Sequence, residues 1–178
     1  MPGRNEEFAS VAIGLGGNLG DPQSAFVRAL ESLIEEGSLQ IDAVSSIWKT
    51  PPWGVTDQPD YLNACALGRT GLKARAFLGR MLAVETVEGR IRSERWGPRT
   101  IDLDLLFHAD QRLDEEGLTL PHPRIAERAF VLLPLAEIAP DWKIDGNRIA
   151  DLASVADSRG LERLKAAEEW WRKPERRG

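Results

Sequence analysis

Residues 95–107, RWGPRTIDLDLLF, contain the pattern that decides the fold. From Ile101 onward, apolar and acidic residues alternate, and a period of two predicts a half-buried strand over residues 100–107. Residues i and i+2 of a strand share a face, so Asp102 and Asp104 are expected to point the same way. The other face is expected to carry the apolar side chains that fill the core, namely Ile101, Leu103, Leu105 and Phe107.

The chain before this strand divides into further strands and helices. The predicted elements are a strand over residues 8–15, a helix from the N-cap Asp21 to Gly37, strands over residues 39–48 and 61–67, and a helix over residues 73–88. The resulting order, β-α-β-β-α-β, is that of a ferredoxin-like α+β fold, an antiparallel sheet with covering helices.

A C-terminal extension is expected to follow this unit. Its predicted elements are a short strand over residues 118–120, a helical turn over residues 124–128, a segment over residues 130–133 that extends or pairs, and a last helix within residues 148–171. The segment 49–59 is punctuated by proline, glycine and aspartate, which predicts a loop.

Length and composition predict one globular domain over residues 1–178, with residues 1–6 and 173–178 frayed. A net charge of −5 argues against attraction to nucleic acid. The single cysteine, Cys65, permits no intrachain disulfide. No stretch approaches the roughly 20 apolar residues of a membrane span. We therefore expect a cytoplasmic monomer that acts on neither membrane nor nucleic acid.

The pair Asp102 and Asp104 predicts a metal site. Hard carboxylate oxygens on one edge are ligands that Mg²⁺ accepts, usually together with substrate phosphates. Two such groups can hold a metal pair about 4 Å apart, which assists phosphoryl transfer. Cations that could bind phosphate oxygens lie immediately upstream, at Arg90, Arg92, Arg95 and Arg99. The chain has no GxxxxGK[ST] loop and no protein-kinase motif, which excludes those two kinds of site.

Four blocks of this sequence resemble the hydroxymethyldihydropterin pyrophosphokinase family of folate biosynthesis, and they occur in family order. The blocks are IGLGGNLGD (residues 13–21), SS to TPPWG and DQPDYLN (residues 45–63), WGPRTIDLD (residues 96–104), and LPHP with RAFVL and PL (residues 120–135).

The resemblance implies that the chain transfers pyrophosphate from ATP to the hydroxymethyl group of the pterin and leaves AMP. It implies catalytic roles for Arg90, Arg92, Arg99, Asp102 and Asp104, with two Mg²⁺ ions bound by the two aspartates. It places the pterin at Thr50, Pro51, Trp53, Tyr61, Asn63, Trp96 and Phe130. It places ATP at Glu85, Arg92, Arg99, Leu105, His122 and Arg128.

The chain departs from the family pattern at three places. Gly17 replaces a common serine, which is expected to change turn geometry, and Trp48 replaces a common tyrosine. Only residues 93–95 separate Arg92 from Trp96, and some members have one residue more there. The roles of Arg92 and Arg95 in closing a loop over the reaction are therefore less defined than those of the aspartates.

Ordinary structural explanations exist for the same residues. An Asp-x-Asp strand face can simply be solvated, Tyr61 and Phe130 can be core aromatics, and His122 can satisfy a turn between two prolines. Two other functions also stay open: a ferredoxin-like module that binds RNA, and a different Mg²⁺-dependent phospho- or nucleotidyltransferase. An RNA-recognition module needs aromatics on its central strands and a basic surface, and this acidic chain lacks that pattern.

Overall fold

The computed structural model describes residues 7–52, 56–89 and 100–172. The ends expected to be frayed, residues 1–6 and 173–178, lie outside them. The first part of the chain forms β1 (Ala9–Gly17), α1 (Pro22–Glu35), β2 (Gln40–Val44), β3 (Ile47–Thr50), β4 (Tyr61–Thr70), α2 (Ala74–Val87) and β5 (Asp102–His108). The remainder forms β6 (Leu113–Glu115), β7 (Leu118–Leu120), a 3-10 turn (Ile125–Glu127), α3 (Ala129–Ile138), β8 (Lys143–Ile144), β9 (Asn147–Arg148), α4 (Ile149–Val155), β10 (Glu162–Lys165) and α5 (Ala167–Trp170).

The main sheet has six strands, and its neighbours are all antiparallel. Its order is β10-β3-β4-β1-β5, and β2 pairs with β4 beyond the end of β3. The predicted α+β class with an antiparallel sheet and covering helices is therefore confirmed. None of the helices within the described ranges is both long and apolar enough to cross a membrane.

Two apolar clusters lie on opposite faces of this sheet. On the α1/α2 face, side chains such as Ile13 and Leu103 pack under Phe26 and Phe77 of the two long helices. On the α3 face, a smaller cluster packs under α3 and α4 and is formed by residues that include Ala12, Cys65, Leu106, Phe107, Leu132 and Leu135. Successive side chains of a strand alternate, so each central strand contributes to both faces.

Local signals place α1 where the sequence predicted it. The carboxylate of Asp21 accepts the Ser24 N–H at 3.1 Å, and Pro22 occupies the first helical position of α1. Gly37 adopts a φ of +79° just beyond the helix end, a conformation that glycine tolerates.

The prediction of one strand over residues 39–48 was wrong, because the chain breaks at Ser45-Ser46. Val44 pairs with Ala66 and Trp48 with Asn63, so the segment from Val44 to Trp48 contains one residue more than the stretch of β4 that it faces. The extra residue is accommodated because Ser45 Oγ accepts the Cys65 N–H at 2.8 Å, in place of a backbone carbonyl.

A second bulge overturns the predicted orientation of Phe107. Ile13 pairs with Leu105 and Ala12 with Phe107, so Leu106 is the extra residue on β5. Beyond it, the alternation is reversed. Phe107 therefore lies on the α3 face, where its ring meets Trp142 edge-on at 5.2 Å, while Leu103 and Leu105 remain in the α1/α2 cluster.

One prediction for the C-terminal part was also wrong, and another was incomplete. Residues 130–133 do not extend or pair but lie within α3, since a short apolar run has no periodicity that separates a helix from a strand. Residues 148–171 contain the last helix, α5, as expected, and they also contain α4 and β10, which were not predicted. All four side chains of β10 are exposed, so its sequence carries no alternation that would have indicated a strand.

Candidate active site

Two cross-strand rows on the α3 face bring predicted site residues together. Gly16 of β1 pairs with Asn63 of β4 on one side and with Asp102 of β5 on the other. Two residues along, Gly14 lies in the same way between Cys65 and Asp104. Paired residues of antiparallel strands point to the same face, so the amide and the carboxylates stand on either side of a floor without side chains.

The floor is as wide as two strand spacings. Neighbouring strands lie about 4.8 Å apart, so Asn63 and Asp102 are separated by roughly 10 Å at their Cα positions. A Cβ built on Gly16 would lie 3.2 Å from Asn63 Oδ1, tighter than an ordinary contact. Any side chain at this position would force the Asn63 amide to move, so glycine permits the amide to lie where it does.

At the amide side, the residues predicted for the pterin lie on the adjacent ends of β3 and β4. Thr50 pairs with Tyr61, and Asn63 Nδ2 donates a hydrogen bond to Thr50 Oγ1. Asn63 and Thr50 are buried, whereas Tyr61 is half-buried. Phe130, at the start of α3, is half-buried on the same face and packs against the smaller cluster. The structure thus brings two aromatic rings and a fixed amide to one face.

At the acidic side, Asp102 and Asp104 are half-buried and face two basic groups from the segment before α3. Partial burial lowers the pKa of Arg128, and the charges of Asp104 and Asp102 oppose this shift without reversing it. The guanidinium of Arg128 also lies over the Phe130 ring, 5.7 Å from its centroid. Acidic, basic and aromatic groups therefore meet at the start of α3.

His122 is held beside β5 by its backbone, whose N–H donates to Leu106 O at 2.9 Å. Burial lowers the pKa of its ring to about 4, the charge of Arg128 acts in the same direction, and Asp102 opposes both. The Arg124 N–H lies 3.4 Å from His122 Nδ1, an arrangement that suits a neutral ring carrying its proton on Nε2.

Glu85 reaches the edge of β5 from the opposite side of the sheet. It is 2% exposed on α2, and its Oε1 accepts the Leu103 N–H at 2.6 Å. Leu103 is the residue between the two aspartates, so this carboxylate holds the backbone from which both of them project. The other buried residues of α2 are apolar, so this carboxylate lies on the apolar face of the helix.

Several predicted residues stand apart from this group. Leu105, predicted at the nucleotide, is 4% exposed and belongs to the α1/α2 cluster. Pro51 is exposed, and a Cβ built on Gly160 would touch its ring. The predictions for Trp53, Arg90, Arg92, Trp96 and Arg99 fall outside the described residues.

From the sequence, no role was assigned to Gly14, Gly16 or Glu137. Gly14 and Gly16 were noted only as part of a motif, and the floor they form appears once the strands are paired. Glu137 was not noted, although it is the single charged residue of α3. An isolated carboxylate in an apolar helix was the available signal.

Asn18 and Gly17 shape the loop that follows β1. Asn18 is 4% exposed, and its Nδ2 donates to Gln58 Oε1 at 3.0 Å and to Pro59 O at 2.9 Å, which ties the segment before β4 to the end of β1. A Cβ on Gly17 would lie 2.5 Å from Thr100 O. The departure from serine therefore permits a close backbone approach, in addition to the expected change of turn.

The donor set fits a magnesium ion that shares its coordination with a substrate. Within residues 7–52, 56–89 and 100–172, no group of three or more His, Cys, Asp or Glu side chains could hold a metal by itself. Two hard carboxylates on one face suit Mg²⁺, which commonly takes one or two carboxylates and completes its shell with phosphates and water.

Comparison with known proteins supports the family that the sequence motifs resemble. Residues 12–140 match the family model described as 7,8-dihydro-6-hydroxymethylpterin-pyrophosphokinase (HPPK). The chain is 42% identical over 153 residues to the 2-amino-4-hydroxy-6-hydroxymethyldihydropteridine pyrophosphokinase of Methylorubrum extorquens, covering 86% of this chain and 97% of that relative. Proteins of the same name from Synechocystis and Pseudomonas aeruginosa are 45% identical over 77% of this chain and 70% of the relative, and 39% identical over 88% and 98%.

Solved structures show the same fold at low identity. A Plasmodium falciparum HPPK-DHPS with pterin and p-hydroxybenzoate superposes with a TM-score of 0.67 at 12% identity, covering 90% of this chain and 48% of that chain. A form with pteroate gives a TM-score of 0.67 at 13% identity, covering 85% and 41%. This chain therefore spans less than half the length of those solved chains, and the likeness concerns the fold alone.

Proposed function

Because this chain belongs to the 7,8-dihydro-6-hydroxymethylpterin-pyrophosphokinase family, and is therefore a transferase and a pyrophosphokinase of folate biosynthesis, we propose that its donor is ATP and its acceptor 6-hydroxymethyl-7,8-dihydropterin. The observation that carries the proposal is the row Asn63–Gly16–Asp102 across three strands. At one end of this row, Asn63 offers an amide to a flat substrate. At the other end, Asp102 offers a carboxylate to the Mg²⁺ that would accompany the phosphates.

The proposed reaction forms one bond and breaks one. The hydroxymethyl oxygen of the pterin bonds to the β-phosphorus of ATP. The bond from that phosphorus to the oxygen bridging the α- and β-phosphates breaks, and AMP leaves with this oxygen. The hydroxyl proton is released. Positioning and charge neutralisation dominate such transfers, so a strong general base is not required.

Asp102 and Asp104 are the residues that would hold two Mg²⁺ ions, whose charge would neutralise the phosphate oxygens. Their support is rigid, since β5 is paired with β1 on one edge and held by Glu85 at Leu103 on the other. The half-buried Arg128 would bind phosphate oxygens through its guanidinium, and His122 would donate to them from Nε2.

The pterin would bind at the amide end of the floor. A flat heterocycle is bound by aromatic faces and a few fixed polar groups, which Tyr61, Phe130, Asn63 and Thr50 can supply. An amide side chain has both a donor and an acceptor, so it can bind an amide-like ring edge. The contributions of Pro51, Trp53 and Trp96 stay predictions.

The remaining assignments stay predictions as well. Leu105 is predicted at ATP and, from its burial, would contribute through its backbone. Arg90, Arg92 and Arg99 are predicted to act on the phosphates. We also infer a ferredoxin-like topology, because β5-β1-β4-β3 is the order of the split β-α-β unit. A single domain, a monomeric state, a cytoplasmic location and no binding to nucleic acid complete the proposal.

The nucleotide product is the test of the reaction. Purified protein supplied with ATP, Mg²⁺ and the hydroxymethyl pterin should form AMP and pterin diphosphate in equal amounts, measured by ion-exchange chromatography. Neither product should form without the pterin or with EDTA in place of Mg²⁺. Accumulation of ADP would instead indicate single phosphoryl transfer, and the proposal would then be wrong.

A further inference from the structure

Glu137, near the end of α3, is bound by three hydrogen-bond donors of the main sheet. Its Oε2 accepts the Ser46 N–H at 3.0 Å and the Ser46 Oγ–H at 2.8 Å, and its Oε1 accepts the Trp48 Nε1–H at 2.7 Å. Hydrogen bonds to an ionised carboxylate are stronger than neutral ones. This side chain therefore fixes the end of α3 to the start of β3.

The same attachment includes the last strand of the sheet. Arg163 of β10 pairs with Trp48, and its Nε donates to Ser46 Oγ at 2.7 Å. The serine hydroxyl thus accepts from a cation and donates to Glu137. A guanidinium and a carboxylate are connected through one hydroxyl, so the position of Ser46 is fixed from both sides.

Glu137 and Phe130 are mechanically connected through α3. They are seven residues apart, which places them on the same side of the helix and separates them by about 10 Å along its axis. Near Phe130, α3 rests on β4, where the Cys65 thiol lies 3.8 Å from Val131 O. Near Glu137, α3 is held at β3. A shift at either end therefore tilts the helix and moves the Phe130 ring.

The strand segment held by Glu137 leads directly into the amide end of the floor. Trp48 pairs with Asn63, and two residues later Thr50 pairs with Tyr61 and accepts the amide of Asn63. Glu137 consequently connects the element that carries Phe130 with the strands that carry Tyr61 and Asn63.

We propose that Glu137 is a positioning residue for the pterin: by fixing α3 against β3, it sets the distance between Phe130 and the pair Tyr61 and Asn63. This inference rests on the proposed function. It predicts that loss of Glu137 impairs use of the pterin much more than use of ATP, because Asp102 and Asp104 project from β5, which the Glu137 contacts do not include.

Steady-state kinetics of three variants test the inference. Glu137→Ala should raise the KM for the pterin about tenfold, which is the size of effect expected when one binding contact is lost. The KM for ATP should change by no more than about twofold. Glu137→Gln keeps the side-chain length and one oxygen that can accept from Ser46, but its amide NH2 then faces the Trp48 Nε1–H donor, so it should recover only part of that loss. Trp48→Phe removes a single donor and should raise the pterin KM by about threefold.

The matched control is Asp42→Ala, which removes the exposed ion pair with Arg69 between β2 and β4. It should leave both KM values unchanged. If Glu137→Ala does not fold, Glu137→Gln and Trp48→Phe still decide the question. Equal rises in both KM values, or no change in either in folded variants, would refute the positioning role. A wild-type protein that forms no AMP would refute the proposed reaction instead.

Discussion

The two faces of the main sheet are formed by the same strands but differ in what covers them. On the α1/α2 face, two 14-residue helices cover apolar side chains, and the cluster beneath them is buried. On the α3 face, the 10-residue α3 and the 7-residue α4 cover a smaller cluster, and glycine, amide and carboxylate positions lie beside it. One face supplies stability, and the other carries the polar groups.

Strand β5 contributes to both faces, because its alternate residues enter the apolar core and the polar site. Leu103 and Leu105 enter the α1/α2 cluster, while the alternate residues Asp102 and Asp104 project from the other face. A packed strand restricts the orientation of the side chains on its far side, so the apolar core pre-organises the carboxylates. Glu85 adds a polar link between the faces, since it projects from α2 and bonds to the backbone of β5.

The largest expected effect is a loss of catalysis at Asp104, whereas its neighbour Leu103, on the other face of β5, should affect stability instead. Asp104→Asn removes a charge with little change of shape, and should lower kcat for AMP formation by about a thousandfold while leaving thermal unfolding nearly unchanged. Leu103→Ala, its matched variant on the other face, should lower the free energy of unfolding by about 2–4 kcal/mol because a buried side chain is truncated. Kinetics and urea denaturation measure the two outcomes. An active Asp104→Asn would exclude the carboxylate from a metal site.

A smaller loss of activity is expected when a side chain is added to the glycine floor of the site. Gly16→Ala would place a Cβ 3.2 Å from Asn63 Oδ1, and should lower kcat/KM for the pterin about tenfold by moving the amide. Gly79→Ala on α2 meets no atom within 4 Å and should leave kinetics unchanged while stabilising the helix by about 0.5–1 kcal/mol. Unchanged pterin kinetics in Gly16→Ala would mean that the amide does not depend on this floor.

The smallest effect concerns pH. His122 has a folded-state pKa of about 4, well below its ordinary value of 6.5, because it is largely buried. Between these values the unfolded chain binds a proton that the folded chain does not, so the free energy of unfolding falls as pH falls from 6.5 to 4. His122→Asn should remove about 1 kcal/mol of this dependence, a value reduced for the partial exposure of the ring. Urea denaturation at pH 7 and pH 4.5, in EDTA, gives the comparison. Equal pH dependence in both proteins would mean that the ring is not protonated on unfolding.

Local patterns predicted much of the fold because they are repeated within single elements. Period-two alternation located β1 and β5, and the Asp21-Pro22 start and the Gly37 end bounded α1. The bulges at Ser45 and before Phe107 could not be predicted in this way. Each depends on a partner strand: Ser45 is accommodated by Cys65, and Phe107 is reoriented by the pairing of β1 with β5. Strand β10 was missed since its stability comes from β3 and not from buried side chains of its own.

The sequence by itself determined the chemistry available to this protein. The family motifs of the sequence contain Asp102, Asp104, Asn63 and Tyr61. Their residue types and spacing are enough to predict a carboxylate site and a pterin site from the sequence alone. Only the tertiary structure decided how these groups face one another. Gly16 forms part of the floor because β1 pairs with a strand on each side. Glu137 attaches α3 to β3 through hydrogen-bond donors that lie some 90 positions away in sequence. Contacts of that separation arise from the packing of whole elements, and a local pattern carries no information about them.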